Sequence, residues 1–222
     1  MRFEKGHKEN TRRRILDIAS KRFRRDGVSA SGLAGIMAEA GLTNGAFYPH
    51  FASKEVLVRE ALANAMADHH AQLEQHNRAC RGIEGAIRQY LSKAHLEGSE
   101  RGCPSAALLP EISRQSEPTR KAYEDGLLRY IATLAADLPD AGSAKANSRA
   151  MAIFSLMVGS LQIARAVSDK ALAEDILEDG IEAALLLARG PQTTEPGAPR
   201  AERIRSFRSR RGRTGKPTVR QR

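Results

Sequence analysis

Residues 41–55 read GLTNGAFYPHFASKE. Gly41, Gly45 and Pro49 fall within nine residues, where a helix could not stay regular. Phe47, Tyr48 and Phe51 crowd into the same stretch, although only 5% of the chain is aromatic. The stretch divides into three short pieces. Gly41 makes a turn. Thr43 caps a very short helix, which Pro49 ends. Ser53 caps the long helix that follows. Phe47 and Phe51 are then core residues, and Tyr48 is left facing outward.

The flanks are helical. The first helix runs from about Glu9 to Arg25, with Ile15, Ile18, Ala19, Arg22 and Phe23 on one face and Gly27 closing it. Ser29 or Ser31 caps a second helix, with Leu33, Ile36, Met37 and Ala40 as its apolar side and Gly32 and Gly35 as weak points. Two helices joined by the Gly41-Leu42 turn make a helix-turn-helix, a motif whose second helix offers polar groups to the major groove of DNA.

Beyond Ser53 the helices lengthen. One runs through SKEVLVREALANAMADHHAQLEQHN. Others span Gly82 to about Glu97, Pro104 to Arg114, Pro118 to Leu138, Ser143 to Val167 and Lys170 to Arg189. Strand patterning is nearly absent, so the fold class is all-α: a three-helix N-terminal domain followed by a larger helical domain. The expected division is 1–53 (motif about 32–51), 54–190, and a basic tail over 191–222 that is disordered by composition.

Charge follows the same division. Of the net +10, residues 1–55 carry +5, residues 56–190 carry −3, and residues 191–222 carry +8. A basic head and tail on a slightly acidic body point to nucleic acid. The tail either adds non-specific DNA affinity by counterion release or is an inert extension. The longest uncharged apolar run, 15 residues between Arg149 and Arg165, is shorter than the roughly 20 that a membrane span needs. With no secretory segment at its start, the chain reads as soluble and cytoplasmic. Two cysteines, Cys80 and Cys103, provide neither a disulfide framework nor a zinc site. No metal, cofactor or enzyme motif is present.

GLTNGAFYPHFASKEVL, residues 41–57, resembles the signature of the TetR family of transcriptional regulators: a Gly-apolar-Thr turn, a small residue, an aromatic pair ending in Tyr, a Phe three residues later, then Ser-Lys-Glu. The match is close over residues 9–58. The resemblance implies that residues 43–48, with Thr43, Asn44 and Gly45 leading, enter the major groove of a double-stranded operator, and that Tyr48, His50 and Lys54 contact phosphates. It also implies a homodimer built on the last two helices, hence a palindromic operator, and a small-molecule effector bound within residues 60–165. The dimer residues expected are Phe154, Met157, Val158, Leu161, Ile181 and Leu185, with Gly159 and Ser160 permitting close helix approach. His69, His70, Tyr90, His95 and Tyr123 are polar candidates for the effector site.

Cys103, before Pro104, stands at the N-cap of its helix, where the dipole and Arg101 would favour a thiolate. Cys103 is therefore either a sensor of oxidants or electrophiles or a small buried packing residue, and His95 and Tyr123 join it as candidates for ligand or redox sensing. The expected function is a DNA-binding regulator, a repressor released by such a signal. A second reading, from another class, is a small-molecule-binding or interaction protein that holds nucleic acid only loosely through its basic segments.

Overall fold

The structure is a computed structural model. It describes residues 5–79 and 82–190, so Cys80 and the basic tail lie outside the described residues. Among the described residues there are nine α-helices and no strand: α1 (Lys5–Asp26), α2 (Leu33–Glu39), α3 (Lys54–Arg78), α4 (Gly82–Tyr90), α5 (Lys93–Glu97), α6 (Pro104–Ile112), α7 (Glu117–Ala136), α8 (Ala144–Ala166) and α9 (Lys170–Arg189). None is long and apolar enough to cross a membrane.

Two apolar clusters hold the helices. The first joins Ile15, Phe23, Ile36, Met37, Phe47 and Phe51 to Leu57, Leu62 and Met66 of α3 and to Leu108 and Ile112 of α6. The boundary expected at residue 53 therefore falls inside a continuous core, and residues 1–190 cluster as a single unit. The second cluster lies among α4, α7, α8 and α9 and includes Ile87, Leu134, Ile153, Met157, Leu161 and Ala184.

Several local expectations are corrected. The first helix begins at Lys5 rather than Glu9; its first turn holds no acidic residue, so the usual sequence mark of a start is missing. Gly32 is the extended N-cap of α2 rather than a helical residue, and no side chain caps that end. Ser31 instead donates from its hydroxyl to the Gly27 carbonyl, 2.7 Å away. Gly35 makes room for the Arg22 guanidinium, which would lie 2.8 Å from an added Cβ. The helix expected over Gly82–Glu97 is broken at Leu91-Ser92. Ser92 caps α5 by accepting from the His95 N–H, and Arg165 of α8 donates to the freed carbonyl of Leu96.

The residues expected at a dimer interface lie mostly inside the single chain. Phe154, Met157, Val158, Leu161 and Ile181 are at most 6% exposed in the single chain, and Leu185 packs half-buried against the same cluster. Ser160 faces Gly180 of α9, where an added Cβ would lie 2.7 Å from its Oγ. An apolar helix face does not reveal whether its own chain or a second one covers it, and here its own chain does. On α8 and α9 the large apolar residues left exposed are Ile163 and Leu172 near the α8–α9 junction and Leu186 and Leu187 near the end of α9; Leu109 of α6 and Leu128 of α7 are exposed as well.

Helix α7 approaches α3 closely at Gly126. An added Cβ would lie 2.7 Å from the Met66 Cβ, an atom that cannot swing aside. Alanine gains roughly 1 kcal/mol in helix propensity over glycine. Overpacking costs about 1–3 kcal/mol. Gly126→Ala is therefore expected to lower the thermal midpoint, whereas a rise would mean that α3 and α7 separate without cost.

Candidate DNA-reading head and effector cavity

The reading segment is built from the turn outward. Gly41 adopts φ +66°, a left-handed conformation that other residues rarely take, and the chain reverses there. Thr43 is extended and opens a single 3₁₀ turn, Asn44–Ala46. The turn continues irregularly past Pro49, with the Phe47 carbonyl accepting from the N–H groups of His50 and Phe51. Phe47 and Phe51 stack within the core at 5.5 Å and anchor this turn. Thr43, Asn44, Gly45 and Pro49 are exposed, and Tyr48 is 68% exposed with its ring edge against Phe47. A rigid turn thus presents polar and aromatic groups outward, the arrangement that reading a groove requires.

His50 and Lys54 are placed differently. His50 is half-buried in a groove of about 320 Å³ that it shares with His7, Lys8 and Thr11 of α1 and with Leu42, Ala46 and Pro49. Burial lowers its pKa, and the charges of Lys8 and Arg12 lower it further. The structure therefore adds His7 and Lys8 to the basic edge of the reading turn. They escaped notice because the first helix was expected to start after them. Lys54 does not stand free. Its ammonium donates to the Val28 carbonyl at 3.2 Å and braces α3 against the loop after α1. Ser53 caps α3 as expected, accepting from Val56 N–H at 3.2 Å.

The body holds a cavity of about 620 Å³. His69, Gln72 and His76 of α3, Gln89 and Tyr90 of α4, His95 of α5, Arg101, Gly102 and Tyr130 of α7 are among its lining residues. Of the polar candidates, His69, Tyr90 and His95 meet here. His70 does not; it pairs with Thr133 Oγ1 at 2.7 Å. Tyr123 is also elsewhere, half-buried against the head's core, its hydroxyl 3.0 Å from Ser105 Oγ. Tyr130, stacked on His69 at 4.8 Å, was not anticipated, because no local signal sets one tyrosine of a buried helix face apart from packing.

Cys103 is the N-cap of α6 and is 1% exposed. Its backbone N–H donates to His95 Nε2 at 2.9 Å, and His95 Nδ1–H donates to the Tyr90 carbonyl at 2.7 Å. Both ring nitrogens are thereby committed, and the imidazole is neutral. Burial holds its pKa down, to about 4. For the Cys103 thiol burial acts upward. The His69 charge and the donors of His69, Tyr90 and the Ala106 amide outweigh it and bring the pKa to about 6. Arg101, expected to do this, lines the cavity instead. The His69 Nε2 and Tyr90 hydroxyl are both buried, and neither makes a hydrogen bond of ordinary geometry among the described residues.

A helix-turn-helix head on a helical body with a solvent-open cavity is the build of a DNA-binding regulator. Two family models match: the tetR family of bacterial regulatory proteins over residues 15–61, and the C-terminal domain of LmrA/YxaF-like transcriptional regulators over residues 79–179. The HTH-type transcriptional regulator LmrA of Bacillus subtilis is 26% identical over 146 residues, covering 63% of this chain and 77% of that protein. The uncharacterized HTH-type transcriptional regulator YxaF of the same organism is 28% identical over 168 residues, covering 72% and 88%. Among solved structures, reduced E. coli NemR has the same fold, with a TM-score of 0.69 and 22% identity over 83% of this chain and all of that one. The chain belongs to the TetR family of transcriptional regulators, a family of DNA-binding regulators rather than enzymes.

Proposed function

We propose that the protein is a homodimeric repressor that leaves a palindromic operator when a signal reaches the cavity or Cys103. Residues 5–53 act as the reading head and the helices after them as sensor and dimer body. The exposed Thr43-Asn44-Gly45 turn with Tyr48, held on a buried aromatic pair, carries the DNA-binding half of this reading. Thr43, Asn44 and Gly45 face bases, while Tyr48 and His50 meet phosphates together with Lys8. The uncovered apolar residues of α8 and α9 support the dimer. The mass of the chain in solution and a gel shift on its own upstream region, at controlled salt, test this. A preference over random DNA well under about 10³ would favour loose binding through basic segments instead.

The signal reading rests on the thiol. A Cys103 thiolate attacks one oxygen of hydrogen peroxide and becomes a sulfenic acid. An S–O bond forms and the O–O bond breaks; hydroxide leaves and takes a proton from the medium, and the sulfur is oxidised as the peroxide is reduced. Peroxide is expected to release the wild type from its operator and to leave Cys103→Ser bound. A free thiol has a value near 9, whereas here the reaction rate should rise through about pH 6 and level off by neutrality. Equal release of both proteins would remove Cys103 from the mechanism. The cavity's volume favours a second signal, a reversibly bound small molecule. Release of Cys103→Ser by such a molecule, with no response to peroxide, would identify that route.

A further inference from the structure

Helix α6 touches both functional regions. Cys103, its N-cap, stands behind the cavity wall of His69, Tyr90 and His95. Glu111 lies eight residues further, about 12 Å along the axis. There its Oε2 accepts from Val28 N–H at 2.9 Å, from Ser29 N–H at 3.1 Å and from Ser29 Oγ at 3.5 Å. These bonds cross more than 80 residues of sequence and seize the loop that leads from α1 into α2.

The loop is shaped for this carboxylate. Gly27 adopts φ +86°, and an added Cβ there would lie 2.7 Å from Glu111 Oε1. The same loop is held by Lys54 through the Val28 carbonyl and by Ser31 through the Gly27 carbonyl. Of these three holds, only Glu111 comes from outside the helices nearest the reading turn. Leu108 and Ile112 of α6 lie in the head's core beside it, so a displacement of α6 shifts the carboxylate and that core together. Pro110 precedes Glu111 and cannot donate to the Ala106 carbonyl, so the helical ladder lacks one bond between the thiol end and the carboxylate end.

We propose that Glu111 is the positioning residue that sets the angle of α2 and the reading turn. This rests on the DNA-regulator reading above. A carboxylate accepting two backbone N–H groups is a charge-assisted contact, among the stronger hydrogen bonds. It orders a loop without touching DNA, so its loss should reduce sequence preference more than general affinity.

The test uses the full chain and a duplex selected from random sequence by the wild type. Glu111→Ala is expected to lose roughly tenfold or more of its affinity for that duplex. Its affinity for random DNA should stay within about threefold, since the phosphate-contacting cations are untouched. Glu111→Gln keeps an acceptor oxygen and should recover part of the loss. Hydrogen exchange at the Val28 and Ser29 amides should quicken in both variants, more in Ala than in Gln. A Glu111→Ala protein with wild-type preference and unchanged exchange would overturn the proposal alone. A wild type that selects no duplex would overturn both the proposal and the reading beneath it. Should Glu111→Ala lose cooperative melting, Glu111→Gln decides: unchanged preference and exchange in that variant refute the role.

Discussion

A Phe47→Ala protein is expected to keep its body helices and lose operator binding. Phe47 is fully enclosed, stacked on Phe51 and edge-on to Tyr48, at the point where the reading turn meets α1, α2 and α3. Removing a buried phenyl ring costs about 3–5 kcal/mol, through lost burial and through the cavity left behind. Such a loss is comparable with the whole stability of a small domain, about 5–15 kcal/mol. The head melts first, because the second cluster among α4, α7, α8 and α9 contains no atom of Phe47. Circular dichroism should show a new low-temperature transition of modest amplitude, with operator affinity gone above it. Tyr48→Ala removes an exposed ring, so it should weaken DNA binding without that transition. A single unshifted melt for Phe47→Ala would mean that the turn is held by something other than its aromatic pair.

The second large effect concerns the apolar residues that the single chain leaves uncovered. Ile163 is 56% exposed and Leu186 is 66% exposed. Leu156, Gly159 and Ile163 on α8, and Leu172, Ile176, Ala183 and Leu186 on α9, recur at helical spacing and form stripes that their own chain covers only in part. A double substitution, Ile163→Glu with Leu186→Glu, places charges where a second copy would pack while leaving the inner core untouched. Equilibrium sedimentation should return the monomer mass. Operator affinity should fall by roughly 10²–10⁴, because the second head no longer benefits from being tethered beside the first. Retained dimers would move the interface off α8 and α9. Phe154→Glu is the informative contrast. It buries a charge inside one chain, so it should unfold the protein rather than divide it.

Much of this architecture is legible in the sequence because the head is made of local signals. The turn at Gly41, the cap at Ser53 and the core positions of Phe47 and Phe51 each follow from residue types at short spacing. The body is less legible for a physical reason. Its helices are apolar over wide arcs, and periodicity gives the face of a helix without its neighbour, so Phe154, Met157, Val158 and Leu161 were assigned to a second chain rather than to their own. Cys103 was found by its place before Pro104, but the groups that perturb it, His69 and Tyr90, come from other helices and could be recognised only as candidates. Glu111 gives no signal in sequence at all. Its meaning depends on a loop more than 80 residues away. Lys54 illustrates a second limit: a basic residue at a helix start reads as a phosphate ligand, and nothing in the sequence shows that one of its three donors also holds the Val28 carbonyl.

The neutral imidazole of His95 bears on what this protein can mistake for a stimulus. Its folded value of about 4 lies below the ordinary 6.5, so folding favours the uncharged ring. That stability is intact above about pH 6.5 and falls progressively as the pH drops from there toward 4, while the ring in the folded protein stays neutral until about pH 4. A moderate drop in pH therefore leaves the link from Tyr90 through His95 to the start of α6 untouched. The imidazole link is thus deaf to moderate acid, whereas the thiol it adjoins, with its value brought to about 6, is not.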